Sequence, residues 1–171
     1  MRTLHLCWPG IDERRAAAQL RAAQHALQRL SPLVAAHGTH LEMGIDGLAA
    51  RVGDETAIAA ATRRATAVHL RARPQLAIAS SRLLAALAAH AADADATAPT
   101  IVPHGEEEAH LAPLPVADLA LAATGRPADE LAAAIERCAL FGVRTIGTLA
   151  RLRSADLAAR VGSIAALLRS E

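Results

Sequence analysis

The chain has 171 residues, 53% of them hydrophobic and 20% charged, and its 18 basic and 17 acidic residues leave a formal net charge of +1. That length suits one medium domain, or a small domain with a helical appendage, and the apolar share supplies a real core. One Phe, one Trp and no Tyr leave too few rings for a base-stacking single-strand binder, and the balanced charge means that any nucleic-acid contact must come from a local cluster.

In chain order, Thr3 to Trp8 alternates and stops at Pro9-Gly10, which predicts a short strand and a turn. Residues 11–30 place Ala16, Leu20, Ala23, Leu27 and Leu30 on one helical face, and Ser31-Pro32 ends that helix. Leu33 to Ile45 reads as two extended pieces around a hairpin-like turn at His37-Gly38. A second amphipathic helix covers 55–71. Pro74 to Ala79 is a short apolar strand, and Ser80-Ser81 caps a helix over 81–92. After a small polar loop, Thr100-Ile101-Val102 forms an edge strand. The fold class this implies is α+β: a small mixed sheet with helices on one face.

Beyond His104-Gly105, Glu106, Glu107 and Glu108 open a short acidic helix, where the helix dipole favours them. Pro113 and Pro115 mark a joint. Helices then follow over 116–123, 128–139, 145–152 and 154–168. Residues 1–112 are expected to form the α+β domain and 113–171 a helical subdomain.

Within the helical part, Leu140-Phe141-Gly142-Val143-Arg144-Thr145-Ile146-Gly147-Thr148-Leu149-Ala150 is the sharpest local signal. A helix ends at a glycine, an apolar residue plugs the turn, and a threonine opens the next helix, as in a helix-hairpin-helix. In that reading Gly142 and Gly147 let the backbone approach a phosphate, and free amides at the second helix start donate to it. Val143, Thr145 and Thr148 complete the turn, Arg144 adds charge, and Arg151, Arg153 and Arg160 extend the strip. The same residues also make an ordinary αα-hairpin, with Gly142 as C-cap and Thr145 as N-cap.

The flanks carry a resemblance. Ile101-Val102-Pro103-His104-Gly105-Glu106-Glu107 and Leu111-Ala112-Pro113-Leu114-Pro115 resemble the stretch joining palm to thumb in Y-family DNA polymerases and their ImuB-like relatives. Residues 140–150 resemble the thumb hairpin that follows it. Upstream, Leu4-His5-Leu6-Cys7, Ser31-Pro32-Leu33-Val34, Leu41-Glu42-Met43 and Leu76-Ala77-Ile78-Ala79 resemble palm strands, and Gly53 to Ala72 a palm helix. The resemblance implies a ferredoxin-like palm remnant, residues 1–112, and a thumb, residues 113–171. It also implies a role in damage-induced (SOS) translesion synthesis, with DNA, an ImuA-like protein, an error-prone polymerase and the sliding clamp as partners.

Nucleotidyl transfer needs two divalent metals held by carboxylates. In active relatives these acids lie on the first palm strand and on an Asp-Glu step that falls here at about His37-Gly38. The first strand offers only His5, Leu6, Cys7 and Trp8, so the resemblance implies a protein without catalytic residues or cofactor. Little room exists for fingers between Gly10 and the first helix, and the chain stops at Glu171, so no clamp-binding tail is expected. A protein-interaction module without DNA affinity is the alternative.

The other polar residues invite duller readings. Imidazole and carboxylate would suit zinc or manganese at His37, His40 and Glu42, but alternate strand residues face opposite sides, so no metal site is expected. Cys7 and Cys138, with no CxxC spacing, read as buried inert thiols. No apolar run approaches the roughly 18 residues of a membrane span, and the first residues are too short in apolar run for a signal peptide. A soluble, cytoplasmic protein is expected.

Overall fold

In the computed structural model, residues 1–93, 96–122 and 128–152 are described. They fall in two compact units, Met1–His104 and a second beginning at Gly105.

The first unit is a five-stranded sheet. Its strands are β1 (Thr3–Cys7), β2 (Val34–His37), β3 (His40–Gly44), β4 (Gln75–Ala79) and β5 (Thr100–Ile101), in spatial order β2-β3-β1-β4-β5. β1 runs antiparallel to both β3 and β4, and β4 pairs in parallel with β5. The first four strands, with α1 (Glu13–Gln28) after β1 and α3 (Glu55–Ala67) after β3, make two interleaved βαβ units. That is the ferredoxin-like arrangement.

Each element starts where local chemistry allows it. Asp12 caps α1 by accepting from the Arg15 amide, Asp54 caps α3 through the Ala57 amide, and Ser81 caps α4 (Arg82–Ala91) through the Leu84 amide. A short helix not anticipated from the sequence, α2 (Ala49–Val52), precedes α3.

Alternation along β1 sends Leu4, Leu6 and Trp8 to one side of the sheet. There they join Leu41, Met43, Leu76 and Ile78 from neighbouring strands, Leu20, Ala23 and Leu27 from α1, and Ile58 and Ala59 from α3. Aliphatic side chains build most of this core; Trp8 is its one large ring, buried with its indole N–H donating to the Ala72 carbonyl at 3.0 Å. The α+β class and mixed sheet agree with the sequence reading, but the helices are not confined to one face. α1 and α3 cover the apolar side, and α4 packs against β1 and β4 on the opposite side. Parallel pairing of β4 with β5 requires a crossover, and Ala77 and Ala79, paired with His5 and Thr3, leave room for it there.

The second unit is helical among its described residues: α5 (Glu107–Leu111), a 3-10 turn (Val116–Asp118), α6 (Leu119–Ala122), α7 (Ala128–Leu140) and α8 (Ile146–Ala150). Val116, Leu119, Leu131, Ala134, Cys138, Val143, Ile146 and Leu149 are buried in it.

Candidate functional site

The α7–α8 hairpin forms, and its caps are well defined. Gly142 sits at φ +73°. Its amide donates to the Ala139 carbonyl at 3.0 Å, and the Val143 amide donates to the Cys138 carbonyl at 2.8 Å. That pair of bonds is a Schellman cap, with buried Val143 packed at the turn as its apolar plug. Thr145 opens α8 by accepting from the Thr148 amide at 3.2 Å.

The amides expected to be free for phosphate are engaged. Ile146 N–H donates to the Leu114 carbonyl at 2.9 Å and Gly147 N–H to the Ala112 carbonyl at 3.1 Å. The Thr148 amide is held by Thr145. Residues 112–116 run beside 144–147: Val116 N–H donates to the Arg144 carbonyl at 2.9 Å, and Pro115 bridges Thr145. The expectation of a helix-start phosphate cradle is therefore corrected. Gly147 lacks a Cβ because Ala112 lies there, with its Cβ 2.8 Å from where a Gly147 Cβ would be. Arg144, Thr148 and Arg151 are exposed beside the turn, so their side chains stay open to a phosphate where the amides of residues 146–148 do not. Arg153, Arg160 and the helix anticipated over 154–168 lie outside the described residues.

A second polar constellation lies in the first unit, on the sheet face under α4. Cross-strand partners share a face, and the register pairs His5 with Glu42 and Ala77, and Cys7 with His40 and Gln75. β1 thus presents Thr3, His5 and Cys7 here, where the sequence implied a missing carboxylate. Glu42 is the one acid contributed by these paired strands. It is buried and ion-paired with Arg82 of α4, whose Nε and second guanidinium nitrogen stand 2.6 and 2.5 Å from Oε2. His5 Nδ1 lies 3.6 Å from Glu42 Oε1. Burial alone would raise the Glu42 carboxyl, but His5 and Arg82 overcome it and hold the group below its ordinary value of 4.5.

His37 and His40 do share a face, contrary to the sequence reading. They are not alternate residues of one strand but direct partners across the β2–β3 turn. His37 turns to Arg82, 3.4 Å from its guanidinium. His40 instead meets His5, Nδ1 to Nε2 at 3.2 Å, and its ring centroid is 5.1 Å from that of His90 on α4. Cys7 Sγ is 4.0 Å from His90 Nδ1. Burial, then the charges His5 and His90 would carry, push His40 down to about 4, so it is neutral at pH 7. Burial pushes the Cys7 thiol up to about 12. Sequence reasoning missed the gathering of His5, His40 and His90 because they are 35 and 50 residues apart and only the sheet register and the packing of α4 on the sheet join them.

No protein-family model matches the chain, and no curated protein matches it. Its fold is similar to that of Dbh, solved in a ternary complex, with a TM-score of 0.65 at 12% identity over 92% of this chain and 45% of Dbh. It is also similar to DinB from Sulfolobus solfataricus, with a TM-score of 0.67 at 13% identity over 92% of this chain and 44% of that one. Both are Y-family DNA polymerases, and the likeness is to part of their palm and thumb. The chain spans less than half the length of either, and at these identities the likeness is one of fold. Among the described residues, no helix is long and apolar enough to cross a membrane.

Proposed function

We propose that this protein is a non-catalytic, ImuB-like accessory of DNA repair and translesion synthesis that contacts the DNA backbone through its helical hairpin. The observation that carries the reading is the make-up of the polar sheet face. In a polymerase-like palm, paired carboxylates there would hold the two metals of nucleotidyl transfer; here His5, Cys7 and His40 stand on that face, and the buried acid Glu42 is neutralised by Arg82. The polymerase-like fold supports a DNA-related role. Exposed Arg144 and Arg151 beside the Gly142 turn supply sequence-independent phosphate contacts, from guanidinium groups rather than helix amides. An ImuA-like protein, an error-prone polymerase and the sliding clamp are the partners this reading implies, in the cytoplasm.

A second reading, a protein-docking module without DNA affinity, is favoured by Leu140 and Phe141, adjacent at the end of α7 and 84% and 56% exposed. Titration of the chain into fluorescent duplex, primer-template and single-stranded DNA at several salt concentrations separates the two. The first reading expects salt-sensitive binding whose log–log slope flattens by about two in the Arg144→Ala/Arg151→Ala variant. Absence of binding even at low salt overturns it in favour of the second. Primer extension with magnesium or manganese is expected to yield no product, and extension would overturn the non-catalytic assignment.

A further inference from the structure

We propose that His5, His40 and His90 bind one divalent transition-metal ion, with zinc the best fit to the donor set. The three imidazoles come from β1, β3 and α4, and one ring nitrogen from each lies within 4.8 Å of the other two. Tetrahedral zinc with Zn–N bonds of about 2.0–2.1 Å separates its nitrogen ligands by about 3.3 Å. His5 Nε2 and His40 Nδ1 already stand at 3.2 Å. Bringing in the third nitrogen requires a contraction of about 1.5 Å or less from that 4.8 Å bound. The ring planes are inclined to one another by 46–51°, as suits nitrogens converging on a point and not a stack of parallel rings.

The surroundings have the form of a metal shell. A ligating histidine usually directs its second ring nitrogen at a carboxylate, which orients the ring and raises its basicity. His5 Nδ1 lies 3.6 Å from the Glu42 carboxylate, just beyond hydrogen-bond length and buried without another partner, so a small shift would complete that bond; Glu42 is itself fixed by Arg82. Cys7 Sγ, 4.0 Å from His90 Nδ1, borders the trio with a soft donor. Three imidazoles with a thiol at the margin select zinc over magnesium, calcium or manganese, which prefer oxygen. His5 is buried while His40 and His90 are partly exposed, so an ion can reach the trio past those two rings. Bound there, it would tie α4 to the sheet. This inference is independent of DNA contact.

The test uses the full chain without a polyhistidine tag, stripped with chelator, loaded with zinc and dialysed. One zinc per chain by elemental analysis is expected, together with a 1:1 cobalt(II) titration giving tetrahedral ligand-field absorption and a zinc-dependent rise in melting temperature. His40→Ala and His90→Gln should each weaken metal affinity more than about tenfold and abolish the thermal shift. His25→Ala, on the exposed face of α1, should leave all three readouts unchanged. Circular dichroism establishes that each variant folds. If a variant does not fold, the wild-type protein decides the matter: absence of stoichiometric zinc and of any thermal shift overturns the proposal. So does metal retained at full affinity by both folded variants.

Discussion

Gly147 and Ala112 are in backbone contact: the Gly147 amide donates to the Ala112 carbonyl at 3.1 Å, and a Cβ on Gly147 would stand 2.9 Å from both the Cα and the oxygen of Ala112. Backbone atoms cannot swing aside as a flexible side chain would. Gly147→Ala therefore gains helix propensity worth up to about 1 kcal/mol but forces α8 away from residue 112, at about 1–3 kcal/mol. The expected result is a net loss in urea unfolding of the full chain. At Gly142 nothing lies within 4 Å of an added Cβ, and the strain comes only from φ +73°, worth about 1–2 kcal/mol. Crowding at Gly147 would be refuted by a Gly147→Ala protein more stable than wild type.

The Arg82–Glu42 pair should respond asymmetrically to mutation. The Glu42 side chain is 7% exposed and that of Arg82 is 48% exposed. Glu42→Gln leaves a guanidinium that turns to water, so its cost is small, about 1 kcal/mol. Arg82→Met strands a buried carboxylate and should cost more, at least about 2 kcal/mol, since removing one partner of a fully buried pair costs about 3–5. Adding Glu42→Gln to Arg82→Met should then restore stability. Equal losses in the two single variants, with no recovery in the double, would show that the pair is not what holds Glu42 as an anion.

Cys7 and Cys138 are both buried free thiols. Burial raises both, Cys7 to about 12, and the thiolate is the nucleophile. Alkylation by iodoacetamide at pH 8 is expected to modify neither cysteine in the native chain and both in denaturant, as read by intact mass. A fast-reacting cysteine in the native chain would mean that the cover over it opens readily.

Elements whose signal is local were legible in the sequence. The apolar stripe Ala16-Leu20-Ala23-Leu27 and the caps at Ser81 and Thr145 all appear as that pattern requires. So does the αL turn at Gly142. What was not legible depends on pairing between distant segments. Nothing near Gly147 in sequence shows that Ala112 will occupy its open side, so the sequence by itself makes the glycine look like a place for phosphate. Periodicity places His5 on one face of β1 but cannot say that His40 and His90 will stand over it. The face taken by α4 was likewise hidden, because Leu84 to Ala89 are all buried and present no stripe to orient the helix.

Metal-free protein should lose stability as the solution is acidified from about pH 6.5. The His40 ring is pressed on by His5 from β1, His37 from β2 and His90 from α4, while Glu42 from its own strand pulls the other way and is itself paired with Arg82. Burial dominates, and the folded imidazole titrates at about 4 against an ordinary 6.5. Above 6.5 neither folded nor unfolded chain protonates this ring, and the contribution to stability is fully present. Between about 6.5 and 4 the unfolded chain takes up a proton that the folded chain refuses, so the unfolding free energy falls with pH. Glu42, lowered below 4.5, adds to the loss only at the acid end of that range. His40→Gln should flatten the dependence between pH 6.5 and 4.5 and leave the part below it. Urea unfolding at half-unit intervals of pH, in the presence of chelator, makes the comparison. Identical slopes in wild type and His40→Gln over the upper window would mean that the ring is charged in the folded protein, and that the trio is wetter than its packing implies.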